Sequence, residues 1–311
     1  MKWMILLWGL ASGFAGAELK VEKSEGTLKI FDDGSLLTAY RTDWKVPYLY
    51  PLLSPSGANV TRHWPTDPGV EGEEHDHPHH RSLWLSHGSV NGYDFWAFED
   101  GKGAQIVHQK FIAQGVDEQG AAYCSVELAW QAGGKTQLKE KRDHRFWKIG
   151  EDTFALQIDS ELTAADGDVV FGDTKEGMLG LRVDRSLRLN GPLAKSHIIN
   201  SEGIEDGKAW GKRANWVAAY GPDERGEPAV IAMFDHPSNL RHPTWWHARD
   251  YGLFAANPFG KHDFEGNPDK TVGNYTLKQG KSLKFRFLVF IHHGDLQSAD
   301  LPAVWTLFSK F

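Results

Sequence analysis

The sequence predicts an all-β protein built as a large antiparallel β-sandwich. In several stretches apolar and polar residues alternate with a period of two, which is the pattern of strands with one buried face. Clusters rich in Gly, Asp and Pro separate these stretches at short intervals, as turns do between antiparallel strands. Only the C-terminal end has the three-and-four spacing of a helix. Many short strands with little helix favour two packed sheets.

The first 17 residues are predicted to be a secretory signal peptide. Lys2 precedes an apolar run, and small residues end the segment at Ala17. We therefore expect a periplasmic or secreted mature protein, with an uncleaved N-terminal anchor as the alternative. No later stretch approaches the roughly 20 apolar residues of a spanning helix. We expect no membrane span after cleavage.

Residues 18–311 are predicted to form a single β-sandwich domain, because no linker or shift in composition divides them. The clearest predicted strands have these apolar residues on one face: Val126, Leu128 and Trp130; Phe154, Leu156, Ile158 and Leu162; Leu181, Val183, Leu187 and Leu189; Leu283, Phe285 and Phe287. At the C-terminus, Ser298 is the predicted cap of a short helix. Its apolar face is Leu301, Val304, Trp305 and Phe308.

Composition restricts the classes of partner. The net charge is −7 and no basic run is present, so nucleic acid is not an expected partner. Because Cys124 is the only cysteine, no internal disulfide can form. No glycine-rich phosphate loop is present, so we expect no nucleotide cofactor. The 13 tryptophans either fill a β core or line a groove in which the apolar faces of sugars stack on indole rings.

The most informative segment is residues 71–81, where four histidines fall within six positions. Imidazole titrates near neutral pH and is the commonest metal ligand. Pro78 predicts an extended backbone at His77. An extended segment would place His75, His77 and His79 on one side and His80 on the other.

Three interpretations of this segment stay open. One is a metal-free acid–base site, with Arg81 stabilising developing negative charge. Another is a divalent transition-metal site, in which His77 and His79 would be joined by His247 from elsewhere in the chain. The third is a hydrogen-bonded polar loop. The identity of any cofactor is unknown from the sequence.

Three further clusters contain residue types that bind or react. Glu176 lies in a glycine-rich turn, and Arg182 lies on the polar face of the predicted strand that follows. Trp210 and Arg213 can form an aromatic and guanidinium clamp for a sugar or a carboxylate.

The last cluster surrounds two adjacent tryptophans near residue 245. Strand alternation places His247 and Arg249 on one face, with Asp250 as the next residue and Asn257 in the turn beyond. A histidine close to a carboxylate is the arrangement that an oriented general base requires.

Five blocks of this sequence resemble the exported bacterial family labelled "methane oxygenase PmoA". The blocks are residues 76–84 (DHPHHRSLW), 175–177 (KEG), 210–214 (WGKRA), 235–237 (DHP) and 246–260 (WHARDYGLFAANPFG). The resemblance implies a galactose mutarotase-like β-sandwich (a supersandwich) and a link to carbohydrate breakdown. We reject methane oxidation, because the methane monooxygenase subunit of that name spans the membrane several times, whereas no spanning helix is predicted after the signal peptide here.

We therefore predict an exported carbohydrate-active enzyme of the hydrolase, lyase or epimerase type. The predicted catalytic residues are His79, His80, Glu176 and His247. The predicted substrate contacts are Arg81, Trp84, Arg182, Trp210, Arg213, Arg249, Asp250 and Asn257. Two alternatives remain: a non-catalytic sugar-binding sandwich, and a metal-dependent oxidoreductase or lyase that uses the histidines. In each case the partner is a carbohydrate or another small molecule.

Overall fold

Two eight-stranded antiparallel sheets make up most of the structure, a computed structural model that describes residues 19–99 and 101–310. The predicted signal peptide therefore lies outside the described residues. In spatial order, the first sheet consists of β1 (Leu19–Ser24), β2 (Thr27–Asp32), β3 (Ser35–Arg41), β4 (Tyr48–Leu52), β5 (Leu83–His87), β11 (Gly177–Arg182), β16 (Leu253–Asn257) and β15 (Trp245–Trp246).

The second sheet contains the longest strands. In spatial order they are β12 (His197–Asn200), β13 (Trp216–Pro222), β14 (Pro228–Asp235), β18 (Ser282–His293), β9 (Thr153–Ala164), β8 (Lys135–Ile149), β7 (Ala122–Ala132) and β6 (Gln105–Val116). Two short strands, β10 (Val169–Phe171) and β17 (Tyr275–Leu277), pair separately. The predicted all-β sandwich is confirmed.

Helical segments are short. They are α1 (Lys261–Glu265), α2 (Leu296–Ala299), α3 (Leu301–Phe308) and the 3₁₀ turns Arg185–Leu187 and Asp206–Ala209. The predicted C-terminal helix is present, but Asp300 caps α3, whereas Ser298 belongs to the capping box of α2. No helix among the described residues is long and apolar enough to cross a membrane.

The main core fills the space between the sheets. On β9 the residues predicted to face inward, Phe154, Leu156, Ile158 and Leu162, are all buried. Cys124 is also buried, and burial raises the pKa of its thiol to about 12. A second, smaller core lies where the C-terminal helices cover the far face of the second sheet, with Leu301 and Phe308 packed there.

One predicted strand is wrong in part. The alternation from Leu181 to Leu189 is interrupted after Arg182, where β11 ends, and residues 185–187 form a 3₁₀ turn. Asp184 explains the change of structure, because its carboxylate accepts hydrogen bonds from the backbone N–H and hydroxyl of Ser186. Such side-chain bonds offer the backbone an alternative to a strand ladder.

Candidate active site

The candidate site lies on the face of the first sheet that points away from the second sheet. Trp84, Gly180 and Ala255 are directly opposite one another on β5, β11 and β16. His247 extends this row, because it exchanges both backbone hydrogen bonds with Ala255. Residues opposite each other share one face of a sheet. A side chain at Gly180 would come within 2.6 Å of the Trp84 ring, so glycine is required there.

The histidine run crosses this face as a tight turn. The backbone N–H of His80 donates to the carbonyl of His77 over 2.9 Å, and His77 has a φ of 40°. The predicted extended backbone is therefore wrong. The turn brings the rings of His77 and His80 into a parallel stack with centroids 4.7 Å apart. His79 meets His80 edge to face at 4.4 Å.

Asp76 and His77 form a hydrogen-bonded dyad. The His77 Nδ1 lies 2.6 Å from an Asp76 carboxylate oxygen and donates to it, which leaves Nε2 as the acceptor of the neutral ring. Arg62 and Arg182 hold the other carboxylate oxygen at 2.6 and 3.2 Å. Burial alone would raise the pKa of Asp76, but the His77 hydrogen bond and both guanidinium groups lower it well below its usual range. The dyad therefore carries a permanent carboxylate.

Tyr251 connects this dyad to the turn before β16. Its ring is nearly parallel to that of His77, with centroids 5.2 Å apart. The guanidinium groups of Arg182 and Arg249 lie 4.6 and 5.4 Å from its centroid. Such cation–π contacts stabilise the charged guanidinium groups and hold the tyrosine ring in position.

Glu176 reaches the same region from the start of β11. Burial raises the pKa of this carboxyl group, and the nearby Lys175 only partly opposes the effect. Its charge interacts electrostatically with His77 and with Tyr251. About one third of the Glu176 side chain is exposed, at 32%, and His77 is 41% exposed. These two groups are therefore the accessible titratable pair of the site.

Beneath them lie histidines that are held neutral. Burial lowers the pKa of His79 to about 4 and that of His247 to about 3, and it holds the pKa of His80 well below its usual range. Arg182 donates to His80 Nδ1 over 3.0 Å, so the proton of His80 is on Nε2. His247 donates from Nδ1 to the carbonyl of Lys175 over 3.1 Å, which leaves Nε2 as an acceptor. Both Nε2 atoms are buried without a partner.

The four predicted clusters are brought together only in part. His79, His80, Glu176, His247, Arg182 and Arg249 converge as described above. Trp210 also reaches the site, with its ring edge to face against His247 at 6.5 Å and against Phe264 at 5.6 Å. Trp84 is fully buried and supports His80 from below at 5.3 Å. It can position that ring, but it has no surface for a substrate.

Two predicted arginine contacts point elsewhere. Arg81 packs its guanidinium on Trp44, 3.8 Å from the ring centroid. Arg213 stacks on Trp245 and donates to the carbonyls of residues 241–243. Trp210 and Arg213 lie on either side of a turn at Gly211, which has a φ of 68°, and they therefore face different parts of the surface.

Two predicted polar contacts organise loops. Asp250 accepts a 2.7 Å hydrogen bond from Asn190 and ties that segment to the turn before β16. Asn257 is fully buried, donates to the carbonyl of Thr174 and accepts from the backbone of the 259–260 turn. Their hydrogen-bonding groups are occupied by the protein.

The predicted metal ligands His77, His79 and His247 do not form a compact ligand set. Within residues 19–99 and 101–310, one group of three potential ligands has donor atoms within 4.8 Å of one another, and it consists of other residues: His63, Glu73 and Asp184. His77 and His79 lie in one turn with ring centroids 5.8 Å apart, whereas His247 is hydrogen-bonded to the carbonyl of Lys175.

The exposed imidazole of the site, His77, is not among the predicted catalytic residues. The predicted acid–base residues of the histidine run are His79 and His80, His77 is named individually only as a possible metal ligand, and Asp76 and Tyr251 have no predicted role. The signal was present in the adjacent pair Asp76-His77, because a neighbouring carboxylate orients an imidazole when the backbone turns sharply enough.

The sequence profile of a family of unknown function, DUF6807, matches residues 27–306. The chain belongs to this family. The methane oxygenase label is not confirmed by the match. A comparison with curated proteins found no match.

The solved structures that match this chain are remote in sequence, and their TM-scores are below 0.5. A kojibiose phosphorylase from the human microbiome has a TM-score of 0.33 and 14% identity, and covers 67% of this chain and 25% of its own. The Slr1438 protein from Synechocystis has a TM-score of 0.35 and 10% identity. The match covers 90% of this chain and 97% of the Slr1438 protein. A heparan sulfate lyase from Pedobacter heparinus has a TM-score of 0.32 and 10% identity. The match covers 86% of this chain and 30% of the lyase. The chain thus spans less than a third of the length of two of these proteins.

Proposed function

We propose that this protein is an enzyme that transfers protons on an acidic carbohydrate, by elimination or epimerisation next to a sugar carboxylate. The observation that carries the proposal is the exposed Asp76–His77 dyad, which shares one surface with Glu176, a carboxyl group whose pKa is raised. An imidazole oriented by a carboxylate and a carboxyl group that favours its protonated form are suited to paired acid–base catalysis on one surface.

The dyad acts as the base. Because His77 donates from Nδ1 to Asp76, its Nε2 is free to take a proton from the substrate carbon beside the carboxylate. The electron pair of the broken C–H bond moves into that carboxylate as an enediolate. Asp76 stabilises the imidazolium that forms, because Arg62 and Arg182 hold it as an anion.

Arg249 supports an acidic substrate. Its guanidinium is half-buried beside Tyr251, and among the described residues no carboxylate forms an ion pair with it. An unpaired cation at the mouth of a site can bind a carboxylate and stabilise an enediolate. Trp210 supplies a half-buried aromatic surface on which a sugar ring can stack, whereas the Tyr251 ring is already in contact with His77 and two guanidinium groups.

Glu176 acts as the acid. Since burial favours its protonated form, it can donate a proton to the glycosidic oxygen as the C–O bond breaks in an elimination. In an epimerisation it would return a proton to the opposite face of the same carbon. The product therefore distinguishes the two reactions.

The test uses the purified mature protein with a panel of uronate-containing and neutral oligosaccharides. Unsaturated products are followed by ultraviolet absorbance and epimers by NMR. We expect the wild type to turn over acidic sugars and not neutral ones. In His77→Gln and in Arg249→Gln, this turnover should be slower by about 100-fold or more. Arg213→Gln, which alters an arginine outside the site, should retain full activity. Full activity in His77→Gln, or binding of acidic sugars without any product, would refute the proposal.

Export is part of the same proposal. The predicted signal peptide at residues 1–17 would deliver the enzyme to the periplasm or the medium, where polymeric carbohydrates are found. Sequencing the N-terminus of the protein from fractionated cells is the test, and we expect Glu18 as the first residue.

A further inference from the structure

A second polar cluster lies behind the histidine turn. His63 lies in the loop between β4 and β5. Glu73 lies further along the same loop, within residues 71–81, and Asp184 lies two residues after the end of β11. Each offers one donor atom, and these atoms lie within 4.8 Å of one another. Ligands around a single ion at roughly 2.0–2.2 Å are separated by distances of this order.

Asp184 supplies the independent sign of a ligand. The residue is fully buried, with 0% exposure. Its Oδ1 accepts from the backbone and hydroxyl of Ser186 at 2.8 and 2.7 Å, whereas its Oδ2 is buried without any partner. A buried carboxylate oxygen with no partner is costly, which favours a cation there.

His63 is oriented for ligation. Its Nδ1 lies 3.0 Å from the Tyr50 hydroxyl, which can accept the Nδ1 proton and leave the Nε2 lone pair for a cation. Nε2 lies 3.3 Å from the carboxylate of Glu224, a fourth acidic or imidazole group adjacent to the cluster. Three carboxylates thus surround one imidazole. Arg62 is paired with Glu73, with its Nε 3.7 Å from the carboxylate, and Arg182, Arg185 and Arg188 line the same space as Glu73.

We propose that His63, Glu73 and Asp184 bind one divalent cation of the Mn²⁺ or Zn²⁺ type. One imidazole with several carboxylates is a donor set that these ions accept. Glu73 lies three residues before Asp76 in the same run, and the cation would tie it to the end of β11. It would therefore hold the histidine turn on the sheet. The binding claim does not depend on the proposed enzymatic function.

The experiment is calorimetric titration of MnCl₂ and ZnCl₂ into tag-free, chelator-treated protein. We expect one site per chain. Asp184→Asn and Glu73→Gln should each weaken binding at least tenfold, because each removes an anionic ligand while preserving side-chain shape. Glu74→Gln changes the adjacent, exposed carboxylate and should bind like the wild type.

Circular dichroism spectra confirm that each variant is folded before titration. A thermal shift with the same ions supplies a second readout, since a ligand that binds only the folded state raises the melting temperature. Absence of saturable binding by either ion, or equal affinity in wild type and both ligand variants, would overturn the proposal. The sugar assay is not needed for either result.

Discussion

Two buried polar clusters in this protein differ in how fully their hydrogen-bonding groups are used. Between the sheets, the Glu140 carboxylate accepts from Trp130 and Ser160, each at 2.7 Å, and from two nitrogens of Arg142 at 2.7 and 2.8 Å. Arg142 also donates to the carbonyl of Leu85. Both charged residues are 2% exposed.

The candidate site is the opposite case. His79 Nδ1, His80 Nε2, His247 Nε2 and Arg182 Nε are buried without a partner. A buried polar group that lacks a partner is costly unless a ligand or a reaction uses it. Burial of polar residues alone therefore does not identify a site, whereas unused hydrogen-bonding capacity beside exposed titratable groups does.

The largest expected effect comes from breaking the satisfied cluster. Glu140→Ala leaves the Arg142 charge buried and unpaired, which should lower the free energy of unfolding by about 3–5 kcal/mol. Urea denaturation of the folded variant measures this loss. Glu161→Ala removes the partner of Lys284 at the surface and should cost less than about 1 kcal/mol. Equal losses in the two variants would contradict the comparison.

Changing the site should alter catalysis more than stability. Glu176→Gln removes the proposed acid while retaining its size, so we expect turnover to fall about 100-fold or more. The free energy of unfolding should change by less than about 1 kcal/mol, because Glu176 and its ion-pair partner Lys175 are both partly exposed. Initial rates on the best acidic oligosaccharide and urea titrations provide the two measurements. A variant that keeps its rate but loses stability would make Glu176 a structural residue.

The buried histidines should make stability depend on pH. The pKa of His79 is lowered to about 4 from the usual 6.5. Between these values the unfolded chain binds a proton that the folded chain does not. The free energy of unfolding therefore falls as the pH decreases from 6.5 to 4, by about 1.4 kcal/mol per pH unit for one such group.

The test is to measure unfolding across this pH range in His79→Gln, whose slope should be smaller than that of the wild type by about one proton. His87 and His144, whose pKa values burial also lowers, contribute equally to both proteins. His197→Gln alters an exposed ring and is the control. An unchanged slope in His79→Gln would show that His79 does not resist protonation.

The smallest expected effect is at Arg213. Arg213→Ala removes a cation–π contact and hydrogen bonds at the surface, so we expect a loss of about 0.5–1 kcal/mol in stability and no change in turnover. Thermal melting and the sugar assay check the two parts. Reduced turnover with intact stability would return Arg213 to the site.

The predicted strands and the predicted site differ in how far the sequence could determine them. Alternation on β9 requires only neighbouring residues, so Phe154 and Ile158 were placed correctly. The interruption after Arg182 was missed because the Asp184 side chain competes with the strand ladder. For the site, the residue types were informative, but Arg81 and Arg213 show that the direction of a side chain depends on which surface packs against it.

The sequence by itself determined the all-β class, the turn positions and the segments rich in imidazole, carboxylate and arginine, because these depend on local periodicity and composition. The tertiary structure decided which groups meet. His77 is paired with the adjacent Asp76, but Glu176 and Tyr251 are 99 and 174 positions away along the chain. Strand order and register bring them to one face, and burial then sets which of them stay neutral. Such long-range pairing and desolvation cannot be obtained from the spacing of neighbouring residues.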